Sequence, residues 1–242
     1  TMLDSERKAI PAPCWVKPLI YLSIPWAISI HTVTAFIYAG LPGRSFWLTA
    51  IMAPRFLASA FASGPALLIL LCFILRKFSR FDAGREPIQA LAKIITYALI
   101  ASIFFVLMEI FTVFYSQIPG HMQHFQYLFF GLHGHHALVP WMWAAVILAA
   151  VGLVLLINPR TRRNELLLAV GCAAVFASLW IEKGLGLVVT GFIPSPLEKI
   201  VEYFPTRPEV AITLGIWALG LLVLTVLYKI AVAVKVEEEN GM

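Results

Sequence analysis

A chain of 242 residues that is 60% hydrophobic and only 13% charged has too few polar side chains to cover a water-facing surface; soluble domains place about a quarter of their residues in Asp, Glu, Lys and Arg. The mean hydropathy of +0.86 makes a bilayer the natural solvent. The net charge of +5 is scattered through short segments between apolar runs, which argues against nucleic acid as a partner. Cys14, Cys72 and Cys172 form no CxxC or CxxCH pair, so the chain lacks the spacings of iron–sulfur and c-type haem sites.

A spanning helix needs about 20 apolar residues, and six such runs are present. The first, 18–40, carries His31 near its middle, with Thr34 and Tyr38 following at helical spacing as one polar stripe. Pro25 upstream frees the carbonyl of Tyr21. An imidazole at that depth can pass protons near neutral pH, hydrogen-bond a quinone or ligate haem iron; the plainer alternative is a packed histidine bonded to a neighbouring helix. A haem b held between two helices would need a second histidine at matching depth, and the others lie outside the span interiors, so no haem is expected on this chain.

The second run, 55–76, begins at Arg55 and continues on one face with Ala58, Ser59, Ala62, Ser63 and Ala66. Small residues allow close helix contact in membranes, and Arg55 either holds a carboxylate or snorkels to the headgroups. The third run, 91–116, carries Glu109 on a face shared with Ser102, Thr112 and Ser116. After it comes SQIPGHMQHFQYLFFGLHGHH, which has no Lys or Arg but holds His121, His124, His133, His135 and His136. Its aromatic run reads as a short interfacial helix, and the loop as a surface for partner docking.

The fourth run is 137–157 and the fifth 166–191. The fifth places Glu182 and Lys183 at a depth comparable to Glu109. Successive residues on an α-helix point about 100° apart, so one of the two is expected to pair with Glu109 or Arg55. The cluster of Arg55, Glu109, Glu182 and Lys183 then reads either as a polar relay or as a structural ion pair joining helices. The proline-rich FIPSPLEKIVEYFPTRPE, with a short amphipathic stretch, leads to the sixth run, 210–234.

Loop charge sets orientation. Thirteen of the 18 Lys and Arg fall on one side: Arg7, Lys8, Lys17, Arg76, Lys77, Arg80, Arg85, Lys93, Arg160, Arg162, Arg163, Lys229 and Lys235. Arg44, Arg55, Lys199 and Arg207 fall on the other. The basic side is read as cytoplasmic. The expectation is an all-α membrane protein, a single membrane domain over 1–242 with both termini cytoplasmic, forming one four-helix bundle plus part of another.

The run IPWAISIHTVTAFIYAGLPGRSFWLTAIMAPRFLASAFASGPALLILL, with the closing WIEKGLGLVVTGFIPSPLEKIVEYFPTRPEVAITLGIWALG, resembles the NrfD/PsrC-type membrane subunits of respiratory complexes. Within them it is most similar to the DsrP subgroup, with its Hme and Hmc relatives, from sulfite-reductase-linked complexes. The resemblance covers nearly the whole chain. It implies a longer protein of eight to ten helices in two bundles, of which this would be the later part. It also implies residence in the cytoplasmic membrane of a prokaryote and electron exchange between menaquinone and an extracytoplasmic iron–sulfur subunit, alongside partners such as cytochromes. It leaves room for proton movement alongside that exchange, with His31 and Tyr38 at the quinone or in a proton relay. A secondary transporter or ion-conducting protein, and a passive anchor for redox subunits, are the rival readings.

Overall fold

The computed structural model describes residues 16–78, 83–195, 197 and 199–240. Arg7, Lys8, Cys14, Arg80, Pro196 and Glu198 lie outside the described residues, as does the side chain of Lys235. The helices are α1 (Val16–Ala39), α2 (Met52–Phe78), α3 (Arg85–Ser116), α4 (Pro119–Phe129), α5 (Val139–Ile157), α6 (Pro159–Arg163), α7 (Glu165–Ile181) and α8 (Arg207–Asn240). A 3₁₀ turn, Ser45–Trp47, precedes α2, and α7 runs on as a π-helix, Glu182–Val189, and a 3₁₀ turn, Thr190–Phe192. Among the described residues six helical segments have the length and apolar composition to cross a membrane, and the chain is a multi-pass integral membrane protein.

The chain divides into two compact units, Thr1–Val201 and Glu202–Met242. In the first, α2, α3, α5 and α7 pack in a ring, each against two others, as a four-helix bundle, and α1 lies on α2. Close approach is built from small side chains, as expected where lipid competes with every apolar contact. On α2, Ser59, Ala62 and Ala66 are buried. Between α5 and α7, a Cβ on Gly152 would stand 2.7 Å from Val175 Cγ2, and Ser178 Oγ donates to the carbonyl of Ala145 at 2.7 Å. On α1, Ala35 is fully buried while most of the helix is exposed.

Hydropathy marks what the bilayer needs, and helices extend beyond it. The third span starts at Arg85, six residues before its apolar run, with Gln89 donating to the carbonyl of Arg162 at 2.9 Å. Asparagine caps start α6 and α7. Asn158 accepts from Arg160 N at 3.0 Å, and Asn164 accepts from Leu166 N at 3.0 Å and Leu167 N at 3.3 Å. Beside the second cap, the guanidinium of Arg76 on α2 pairs with Glu165.

Two apolar clusters fill the bundle. One, around Ile69, Ile95, Leu99, Leu156, Leu168 and Val175, lies toward the α6 end. The other, around Trp47, Met52, Val113, Phe125, Leu128, Met142 and Leu187, lies toward the α4 end. The expected interfacial helix is α4, and it packs against α5, the 3₁₀ turn at Ser45 and the turn at Thr190. Trp47 is the centre of that roof: it is fully buried, and its Nε1 donates to the carbonyl of Leu187 at 2.9 Å. The second unit is α8, opened by a capping box in which Glu209 accepts from the Thr206 amide at 2.6 Å and its hydroxyl at 2.8 Å.

Gly191 lies against Trp47 so closely that a Cβ there would fall on the indole ring. Gly64, on α2, faces open space. Gly191→Ala is therefore expected to cost about 1–3 kcal/mol through overpacking and Gly64→Ala to be near neutral, as read by thermal unfolding of the purified chain in detergent.

Candidate functional site

Along three helices ionisable residues interrupt the passage from one apolar cluster to the other. On α2, Arg55 lies between Met52 and Ala62; on α3, Glu109 between Leu99 and Val113; at the end of α7, Glu182 between Leu179 and Leu187. The three meet. One terminal nitrogen of Arg55 pairs with Glu109 Oε2 and the other with Glu182 Oε1. Arg55 and Glu109 are each 4% exposed, so Arg55 does not snorkel. Lys183 Nζ joins from the side, 3.2 Å from Glu182 Oε2 and 5.2 Å from the centre of the Phe56 ring.

Helical spacing predicts that one of Glu182 and Lys183 pairs with Glu109 or Arg55, and one does: Glu182 pairs with Arg55, and Lys183 pairs with Glu182. The chain widens into a π-helix at Glu182, where i→i+5 bonding shifts side-chain directions away from those of an α-helix. Gly184 and Gly186 lie in this stretch, and a Cβ on Gly186 would be 2.9 Å from Met142 Sδ. Glu182 turns to Arg55, and Lys183 faces a cleft toward α1.

That cleft has a volume of about 310 Å³ and is lined by His31, Thr34 and Tyr38 of α1, Phe56, Ser59 and Ser63 of α2, and Lys183, Leu187 and Val188 of the π-helix. His31 and Tyr38, predicted from the stripe on the first span, share it with Lys183, which was predicted from a different span. Tyr38 packs edge-on to Trp47, with ring centres 4.8 Å apart, and to Phe56 at 6.1 Å. The roles of Trp47 and Phe56 were missed: an aromatic in a membrane sequence reads as an interface anchor, and nothing in its neighbours marks it as a wall.

A second cavity, about 330 Å³, lies on the other side of the ion cluster. Glu109 lines it, with Thr112 and Ser116 from the same face of α3, His121 and Phe125 from α4, and the connection over 46–51. No signal in the sequence pointed to this space, because it is lined by two stretches, 46–51 and 109–125, that are distant along the chain.

The histidines of the loop divide. His121 lines the second cavity. His124, one turn further along α4, is buried; its Nδ1 is 2.8 Å from the carbonyl of Ile193 and its Nε2 3.0 Å from Ser45 Oγ. The carbonyl can only accept, so Nδ1 carries hydrogen and Nε2 accepts from the serine in the neutral ring. His124 thus ties α4 to the turns on either side of it. His133, with φ of 50°, and His135 belong to a tight turn closed by the Leu132–His135 bridge, and His136 packs against Gly131. Among the described residues no three His, Cys, Asp or Glu converge as a ligand set.

Residues 8–193 match the family described as Polysulphide reductase, NrfD. The chain is also similar to a putative membrane subunit of dimethyl sulfoxide reductase from Halobacterium salinarum, with 26% identity over 226 residues, covering 83% of this chain and 50% of that protein. The chain thus spans about half the length of that relative.

Removing Arg55 would leave two buried carboxylates facing each other, and breaking a buried pair by deleting one partner costs about 3–5 kcal/mol. Arg55→Met is expected to lower the unfolding temperature sharply, and the double change with Glu109→Gln, which leaves Glu182 paired with Lys183, to recover much of the loss. A second expectation concerns pH. Burial pulls the His124 imidazole below its ordinary 6.5, against the Ile193 and Thr190 carbonyls that raise it. The folded ring resists the proton that the unfolded ring accepts, so stability present above about pH 6.5 is lost as pH falls. Hydrogen exchange in α4, corrected for intrinsic rate, should rise on acidification and lose that dependence in His124→Gln.

Proposed function

The chain belongs to the NrfD family, and on that premise we propose that it is the membrane subunit of a redox complex that exchanges electrons between a quinone of the bilayer and a partner iron–sulfur subunit. The observation that carries the reading is the cleft where His31, Tyr38 and Lys183 converge. His31, Thr34 and Ser63 all lie within spans, so its mouth is at membrane depth, where a lipid-soluble ligand arrives. Pockets for small molecules are mostly apolar with a few placed polar groups; here the hydroxyls of Thr34, Ser59 and Ser63 donate to their own helix backbone, and His31, Tyr38 and Lys183 are left to meet a ligand between aromatic and aliphatic side chains.

A quinone there supplies two-electron, two-proton chemistry. The protein's part is orientation and protons. The ammonium of Lys183 and the hydroxyl of Tyr38 are donors for a carbonyl oxygen, and the imidazole of His31 accepts or donates as its tautomer requires. Leu187 and Val188 keep the lining apolar, and Phe56 and Tyr38 offer ring surfaces to a flat head group. Menaquinone is the quinone we assign, in line with the resemblance to the DsrP-like subunits.

The charge pattern supports a topology in which both ends of the chain are cytoplasmic, in a prokaryotic cell membrane. The α4 end then faces outward, and the loop with His133, His135 and His136 offers the surface for the extracytoplasmic iron–sulfur subunit, with cytochromes as further members.

Menadione serves as a probe for the full chain in lipid nanodiscs. Loss of a hydrogen bond to a charged group is worth about 1.5–3 kcal/mol, so Lys183→Met should weaken binding about tenfold or more, and His31→Ala by a similar factor. Phe104→Leu, on an exposed part of α3, should bind as the parent does. Absence of menadione binding, or equal binding by all four proteins, would refute the reading.

A further inference from the structure

At the α6 end of the bundle, α3 meets the corner between α5 and α6 along a seam where cations gather without carboxylates. Gln89 Nε2 donates to the carbonyl of Arg162 at 2.9 Å, and two turns further along α3 Thr96 Oγ1 is 3.4 Å from the carbonyl of Leu156. Lys93 lies between these contacts on the same face of α3, four residues after Gln89 and three before Thr96. Arg162 reaches the same place from α6, with Nη1 3.3 Å from the Leu156 carbonyl. We propose that this seam binds the headgroup of an anionic phospholipid, with Lys93 and Arg162 on its phosphate and Arg160 and Arg163 at the rim.

Charge and depth both point to this occupant. Helix α6 joins two spans, so the seam lies at a membrane surface. Neither α5 nor α6 carries an Asp or Glu. At this end α3 has the exposed Glu86, seven residues before Lys93, and α7 has Glu165, which Arg76 already holds. Among the described residues Lys93, Arg160, Arg162 and Arg163 form no ion pair. Basic pockets between spans at such a surface suit anionic headgroups.

A lysine near the end of a span ordinarily extends to water, and Lys93 by itself could do so. Arg162 is held back. Its Nη1 is on the Leu156 carbonyl, and its Nε is shielded from solvent with no hydrogen-bond partner among the described residues. A guanidinium has five donors and no acceptor, and a phosphate matches the geometry of its fork. A lipid brings that phosphate together with tails that require apolar surface, and the seam leads onto such a surface. One turn further into the span from Lys93, Tyr97 is 73% exposed; Ile100 and Phe104 follow it on α3, and Val154 and Ile157 are exposed at the end of α5. Free phosphate gains nothing from those side chains.

The test needs neither a quinone nor a partner subunit. Native mass spectrometry of the full chain in detergent, titrated with dioleoylphosphatidylglycerol or dioleoylphosphatidylcholine, should show tighter binding of the anionic lipid. Each Lys or Arg near an anionic headgroup contributes about fivefold in affinity, so Lys93→Gln with Arg162→Gln should weaken phosphatidylglycerol binding about tenfold or more. Lys17→Gln with Lys77→Gln removes the same charge from exposed positions on α1 and α2 and should bind as the parent does. Lys93→Gln alone changes an exposed side chain and should still weaken binding several-fold, so the proposal is tested even where Arg162→Gln fails to fold. Inorganic phosphate at the concentration of the lipid should not displace it. Equal binding of the two lipids, equal loss in both double variants, no effect of Lys93→Gln, or displacement by inorganic phosphate would each overturn the proposal.

Discussion

Burying the Arg55 guanidinium is the constraint around which the bundle is arranged. Stripping an ion of water costs several kcal/mol even after relaxation, and in hydrocarbon there is no solvent to share the cost. One carboxylate would satisfy one edge of the planar fork. Arg55 meets two, from α3 and from the end of α7, so a single side chain fixes three helices at one height. Lysine could not replace it on equal terms, because a point charge lacks the two parallel donor edges. Ion pairing of this kind adds little net stability over an apolar core, and its value lies in register: sliding any of the three helices by one turn would leave a charge alone in the membrane.

The same requirement divides the interior. Apolar side chains fill the bundle toward α6 and again toward α4, and the charged layer lies between. The two halves are closed differently. At the α6 end, short connections and asparagine caps join long helices. At the α4 end, a roof of short elements is needed, and it is held by Trp47 bonded to Leu187 and by His124 bonded to Ile193 and Ser45. Because the roof is made of turns around a bulky indole, it does not fill the volume above Glu109 completely, and the cavity lined by Thr112, Ser116 and His121 remains.

Hydropathy and helical spacing made much of this legible. The six spans follow from run length, and the small-residue face of α2 follows from Ser59, Ala62 and Ala66 recurring at helical intervals. The in-membrane charges stand out because each is rare in its surroundings, and their pairing was foreseeable from comparable depth. Depth cannot say which groups share a neighbour. The helical angle between Glu182 and Lys183 separates them, and the structure keeps them apart, with Glu182 on Arg55 and Lys183 in the cleft. The π-helix itself was not legible; its trace in the sequence is only the pair Gly184 and Gly186, which any loose helix end could contain. The division among the histidines was equally hidden. His124 is buried and His121 lines a cavity one turn away, a difference set by the Ser45 and Ile193 turns, which are remote in sequence.

One short segment, opening the π-helix at Glu182, serves two spaces. Adjacent residues on a helix point roughly 100° apart, so a residue that bonds Arg55 in the bundle interior leaves its successor facing another neighbour. Widening at Glu182 leaves its carboxylate on Arg55 while Lys183 lies over Phe56, in the cleft with His31 and Tyr38. Irregular helix at membrane depth is tolerated where it is buried in protein or lines a cavity, and both conditions hold here. Gly186 lets the widened turn press against Met142, which keeps α5 in the ring. Neighbours in sequence thus serve different spaces, and the Glu182–Lys183 pair ties the charged layer of the bundle to the cleft beside α1.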